Sequence, residues 1–229
     1  MRFCDLLDIK NIKNFQKEIL KWGNKNVRKY PWRSSKNPYY VFLAEKLLQQ
    51  TKVRPQLVDI YNDVVSRYPS FKELANAYKE ILENILKPLG LIYRGKELIK
   101  TAIFMLENYH GKIPEELDEL LRIPGLGQYI SRVILSFCYE KRVAIIDTNI
   151  GRFYFRLFGL ESKFPSNPAR NQELIFLGES LLPSRNIKRF NLSVLDLSAL
   201  ICKSRNPHCK QCPVSAYCKY YNFSQTKLT

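Results

Sequence analysis

Residues 121–135 read LRIPGLGQYISRVIL, and this stretch decides how the chain folds. Its centre, Ile123-Pro124-Gly125-Leu126-Gly127, is a tight turn between an amphipathic segment and a second helical segment. Glycines let backbone N–H groups approach a ligand closely, and a helix N-terminus adds the positive end of its dipole. Together they form a backbone site for one anion, with Gly125 and Gly127 as its candidate binding residues. The same turn also occurs as a plain helix–helix connection, so its meaning depends on what surrounds it.

Downstream, the run Val143-Ala-Ile-Ile-Asp147-Thr-Asn149 is apolar up to an aspartate that opens a helical pattern. Asp147 reads equally well as a helix N-cap and as a catalytic carboxylate. The preceding Arg142 to Ile146 is the one strand-like run of the chain, short enough to be a buried connection instead. Upstream, residues 30–51 read YPWRSSKNPYYVFLAEKLLQQT. Pro38 starts a helix whose apolar face is marked by Val41, Ala44, Leu47 and Leu48. Glu45 falls at the border of that face. A helix glutamate is ordinarily a solvated residue, but partial burial would raise its pKa and fit it for donating a proton.

The rest of the pattern is helical. Apolar residues recur at spacings of three and four over 12–22, 39–53, 55–67, 71–86 and 94–108. Helices also fit 115–121, 128–138, 147–158, 170–182 and 190–201. Pro and Gly punctuate between them, at Pro31, Pro38, Pro69, Pro88, Gly90 and Pro114. With no repeats, low-complexity tracts or flexible linker, an all-α fold of about ten helices is expected.

Six cysteines divide into two scattered ones, Cys4 and Cys138, and four crowded into residues 202–218. The four have the spacing C-x6-C-x2-C-x5-C: Cys202, Cys209, Cys212 and Cys218. Such crowding points to metal rather than disulfides. Four thiolates can enclose one tetrahedral zinc or a [4Fe–4S] cube. Only one close pair is present, and the uneven spacing suits ligands wrapped around the larger object. Lys203, Arg205, His208 and Lys210 lie among them, and Lys203 and Arg205 are candidates for clamping a phosphate backbone.

In composition the chain is that of an ordinary globular protein, 45% hydrophobic and 25% charged over 229 residues. The N-terminal segment lacks a long apolar stretch and a cleavage site, so an intracellular protein with no membrane span is expected. Its formal net charge of +16 favours a polyanionic partner, nucleic acid being the commonest. An AT-rich genome, which inflates lysine, would produce the same excess.

Taken in order, YPWR at 30–33, AEKLLQQT at 44–51, IPGLG at 123–127, IDTN at 146–149 and the cysteine loop resemble the endonuclease III superfamily of helix-hairpin-helix DNA glycosylases. The resemblance runs over roughly residues 15–220, and the cysteine spacing is that of the superfamily's iron–sulfur loop. It implies a six-helix barrel domain with the hairpin over 30–141. A second domain would join 1–29 to 142–229 around a [4Fe–4S] cluster in loop 202–218. The cleft between them would receive a nucleotide flipped out of double-stranded DNA, because the glycosidic bond is out of reach inside the stack. A monomer acting ahead of an AP endonuclease is implied as well.

The resemblance also assigns roles. Asp147 would stabilise positive charge developing on the sugar, and Glu45 would help the base depart. Tyr129 would line the base pocket, and Gln50 would fill the gap left by the flipped base. Bifunctional members carry a Schiff-base lysine at the position of Tyr129; its absence here implies a monofunctional enzyme without efficient AP lyase activity. Two branches are nearest. The segment RFNLSVLDLSALIC at 189–202, and an end soon after Cys218, resemble mismatch thymine/uracil-DNA glycosylases. The LQQT motif with Glu45 resembles adenine-DNA glycosylases acting on A·G or A·8-oxoguanine. The thymine/uracil reading is the expected one, with a catalytically inert DNA-binding or redox-sensing relative as the remaining possibility.

Overall fold

The computed structural model describes residues 9–49, 54–160 and 162–226. Among these all the regular structure is helical, without a β-strand. It begins with α1 (Ile9–Asn26) and continues with α2 (Pro31–Ser34), α3 (Pro38–Leu48), α4 (Pro55–Arg67), α5 (Phe71–Ala75) and α6 (Lys79–Leu86). Then come α7 (Arg94–Tyr109), α8 (Leu117–Arg122), α9 (Gln128–Cys138) and α10 (Thr148–Phe158), and finally α11 (Gln172–Ser180), α12 (Ile187–Leu200) and α13 (Lys219–Thr226). These fall into two compact units, residues 29–139 and residues 1–28 with 140–229. No helix among the described residues is long and apolar enough to cross a membrane.

The unit of 29–139 is built around α3. Pro38 occupies its first turn and Asn37 caps it by accepting the Tyr39 N–H at 3.0 Å. The expected one-sided apolar face proves too narrow, because every residue from Val41 to Leu47 is buried, Glu45 and Lys46 included. α3 packs on α4 and α9, where Leu57, Val64, Ile130, Val133 and Ile134 are fully or almost fully buried. Trp32 of α2 is buried, stacked on Tyr30 at 5.0 Å and meeting Tyr61 edge-on. The helix expected over 71–86 is broken at 76–78. Asn76 turns its amide back onto the Lys72 carbonyl at 2.9 Å, a local bond that competes with helix propagation.

In the other unit α1 packs on α12, with Phe15 and Ile19 buried on one face and Phe190, Val194 and Leu197 on the other. Asp196, fully buried, accepts the Arg28 backbone N–H at 2.8 Å and pairs with its guanidinium at 2.5 Å. This pins the end of α1 to α12. The strand-like run before Asp147 is a connection without regular structure, and Ala144, Ile145 and Ile146 are buried in it. α2 and α13 were not visible in the hydrophobic periodicity, because one is a single turn and the other has no apolar stripe.

Candidate active site and cysteine loop

The hairpin joins α8 to α9 through residues 123–127. The Leu126 N–H closes the turn on the Ile123 carbonyl at 3.1 Å. Gly125 has φ +85°, a left-handed conformation open to glycine but strained for other residues. A methyl group there would also lie 3.2 Å from Lys46 Nζ and 3.3 Å from Thr101 Oγ1. The Thr101 hydroxyl lies 2.8 Å from the Pro124 carbonyl and steadies the turn from α7. Gly127 is different: it is the N-cap of α9 with extended backbone, and a methyl group on it would meet only open space. No side chain caps α9, and a helix start without a side-chain cap is what a backbone anion site requires. Gly125→Ala is therefore expected to lower Tm, whereas Gly127→Ala should fold normally and lose only DNA affinity. Paired melting and duplex-binding measurements check this; a lowered Tm for Gly127→Ala would contradict it.

Tyr129 follows at the second position of α9, half-buried. Glu45 is only 5% exposed, far deeper than a border position implied, because α3 runs through the middle of its unit. The C-terminal end of α3 is closed by Arg94, itself buried, whose guanidinium donates to the carbonyls of Lys46 and Gln49. A cation there satisfies acceptors that the helix end leaves open. Gln50 lies outside the described residues.

Asp147 is the N-cap of α10. One carboxylate oxygen accepts the Ile150 N–H at 2.7 Å and the other accepts from the Asn149 amide at 3.1 Å. Capping accounts for the first oxygen only. Burial raises the carboxyl above the ordinary carboxylate range, opposed by those hydrogen bonds and by the Arg152 charge. Asn149 in turn accepts from Arg152 at 3.0 Å, and Arg152 donates to the carbonyls of Cys202 at 2.9 Å and Ser198 at 3.0 Å. The carboxylate is thus tied by hydrogen bonds to the start of the cysteine loop.

One turn further along α10, Arg156 donates to the carbonyls of Lys203 at 2.7 Å and Ser204 at 3.0 Å and approaches Cys202 Sγ at 3.5 Å. Its guanidinium lies over the Tyr220 ring. Lys203 and Arg205 are exposed, as a phosphate clamp requires. Cys202, Cys209, Cys212 and Cys218 all line one small cavity of about 20 Å³, walled by Phe153, Ile201 and Tyr221. Burial pushes the Cys212 thiol up to about 12, and the other three sulfurs push it the same way. Among the described residues no three His, Cys, Asp or Glu side chains are gathered tightly enough for a single metal ion. Four thiols are a donor set that either one zinc or an iron–sulfur cluster can use.

Of the residues expected from sequence, the hairpin glycines, Tyr129 and Glu45 belong to the unit of 29–139, while Asp147 and the cysteines belong to the other. Lys46, Arg94, Arg152 and Arg156 were missed. Lys46 and Arg94 carried one signal, a basic residue amid apolar neighbours, which hydrophobic periodicity alone treats as solvated.

Comparison with known proteins bears on these features. A sequence model of HhH-GPD superfamily base excision DNA repair proteins matches residues 43–175. A thymine/uracil-DNA glycosylase of Methanothermobacter thermautotrophicus is 30% identical over 95% of this chain and 97% of its own length. An adenine DNA glycosylase of Buchnera aphidicola is 31% identical over 90% of this chain but 58% of its own. The solved structure of a thermostable thymine-DNA glycosylase superposes with a TM-score of 0.86 at 30% identity, covering 93% of this chain and 98% of that one.

Proposed function

Because the chain belongs to the HhH-GPD superfamily of base excision DNA repair proteins, we propose that it hydrolyses the N-glycosidic bond of thymine or uracil mispaired with guanine. One observation carries the choice of base: the fold superposes on that of a thymine-DNA glycosylase with a TM-score of 0.86 at 30% identity. The buried Glu45 and the LQQT motif favour adenine as the second reading.

In the proposed reaction the target nucleotide leaves the stack, since its glycosidic bond is out of reach within the duplex. Cleavage builds positive charge on the sugar and negative charge on the departing base. The Asp147 carboxylate, held by Ile150 and Asn149, stabilises the sugar cation and orients the attacking water. Glu45 supplies a hydrogen bond or proton to the base, and Tyr129 lines the base pocket. The hairpin amides hold a phosphate, Lys203 and Arg205 hold others, and Gln50 fills the vacated stack. We read the four cysteines as ligands of a [4Fe–4S] cluster, supported by the cavity they share. When bound, the cluster would order the loop and take no part in hydrolysis. The product is an abasic site, to be cut by a separate AP endonuclease.

The test is excision from duplexes carrying G·T, G·U, A·G and A·8-oxoguanine. Thymine and uracil should be released, with strand breaks only after alkali and no borohydride-trapped adduct, because Tyr129 offers no amine. Release of adenine alone would transfer the assignment to the second reading. Failure on all four would support the inert relative, and efficient trapping would overturn the monofunctional mechanism.

A further inference from the structure

We propose that Lys46 is a further DNA-binding residue: its buried ammonium charges the hairpin turn from beneath and strengthens the hold on the phosphate received by the turn's outer surface. This rests on the DNA-binding reading above. A lysine within a helix as buried as α3 would ordinarily extend its stem and deliver its charge to water. Lys46 does not, for its side chain is only 4% exposed and its Nζ lies 3.2 Å from Glu97 Oε2. An ammonium has three donors, and among the described residues Glu97 is the one partner it reaches.

The direction in which Lys46 points is the informative feature. A methyl group on Gly125 would stand 3.2 Å from Nζ, so the ammonium lies directly against the turn, beside Thr101. Gly125 itself is exposed. A phosphate settling on the exposed side of Gly125 would therefore sit near a cation shielded by protein rather than by water. Screening is weak in that position, and the attraction is correspondingly stronger than for a surface lysine. Glu97 is 51% exposed and opposes this field from the side open to solvent. The pair thus acts as a cation assigned to the turn and an anion competing with the DNA phosphate.

Opposite effects of the two partners distinguish this role from a merely structural ion pair. Binding of a fluorescently labelled matched duplex and a G·T duplex would be measured over a range of salt, alongside thermal melting. Lys46→Met, which keeps the length and apolar contacts of the stem, should weaken binding to both duplexes about tenfold, the scale of one partly screened unit charge. Glu97→Gln, at a half-exposed position that tolerates substitution, should tighten binding about threefold by removing the competitor. A structural pair would lower Tm in both variants and leave both affinities at the wild-type value, which would overturn the proposal. Weaker binding by Glu97→Gln would overturn it too. A wild-type chain without salt-dependent binding to any duplex would instead remove the DNA-binding reading itself, a result separable from unchanged variants of a wild type that binds.

Discussion

Asp147→Asn is expected to lower single-turnover excision about 10³-fold while leaving duplex affinity within about threefold of wild type. The substitution is nearly isosteric, and the asparagine oxygen can still accept the Ile150 N–H that caps α10. What it removes is a charge whose effect is greatest when the sugar becomes cationic, so the loss should appear in rate and not in binding. Stability should move the other way. The folded-state pKa of Asp147 lies above its unfolded value, so its contribution favours folding at low pH and is lost as pH rises through the raised pKa. Once ionised, the half-buried carboxylate is therefore a liability for folding. The neutral variant should melt no lower than wild type, as expected of a group held for function at the expense of stability. The same shift predicts that excision declines with acid at a pH above the ordinary carboxylate range. Melting and single-turnover kinetics on one preparation check all three; a variant that lost rate and Tm together would show Asp147 to be a structural cap.

Cys212→Ser is expected to have the largest effect on folding. From Cys202 to Cys218 only Val214 is buried, so apolar contacts alone order little of this loop. Arg156 fixes its beginning through the carbonyls of Lys203 and Ser204, and short 3-10 turns at Cys209–Gln211 and Ser215–Tyr217 shape the rest. Cys212 sits between those turns and lines the shared cavity. The wild-type chain should purify brown with about four irons. The variant should be depleted of iron and recovered mainly in the insoluble fraction, because a serine hydroxyl is a far poorer ligand for iron than a thiolate. Iron and sulfide analysis of both proteins decides this. A colourless wild type with one zinc per chain, or a soluble Cys212→Ser retaining its iron, would remove the cluster from the reading.

The sequence by itself determined the features whose physics is local. Hydrophobic periodicity placed most of the helices, and Pro38 and the Pro124-Gly125 turn marked boundaries that reflect the dihedral limits of those residues. Asp147 at a helix start was legible because an N-cap bond spans only three residues. The four-cysteine spacing likewise needed no fold to be read. Tertiary structure alone decided the rest. It turned Glu45 from a border residue into a buried one, since α3 is packed by α4 and α9, which its own pattern does not record. It brought Lys46, Glu97 and Gly125 together across more than fifty residues and set Arg94 on the end of α3. It also linked Asp147 through Asn149 and Arg152 to Cys202. A buried cation leaves no periodic trace in a sequence, because its partners are backbone carbonyls and carboxylates brought near only when distant segments pack.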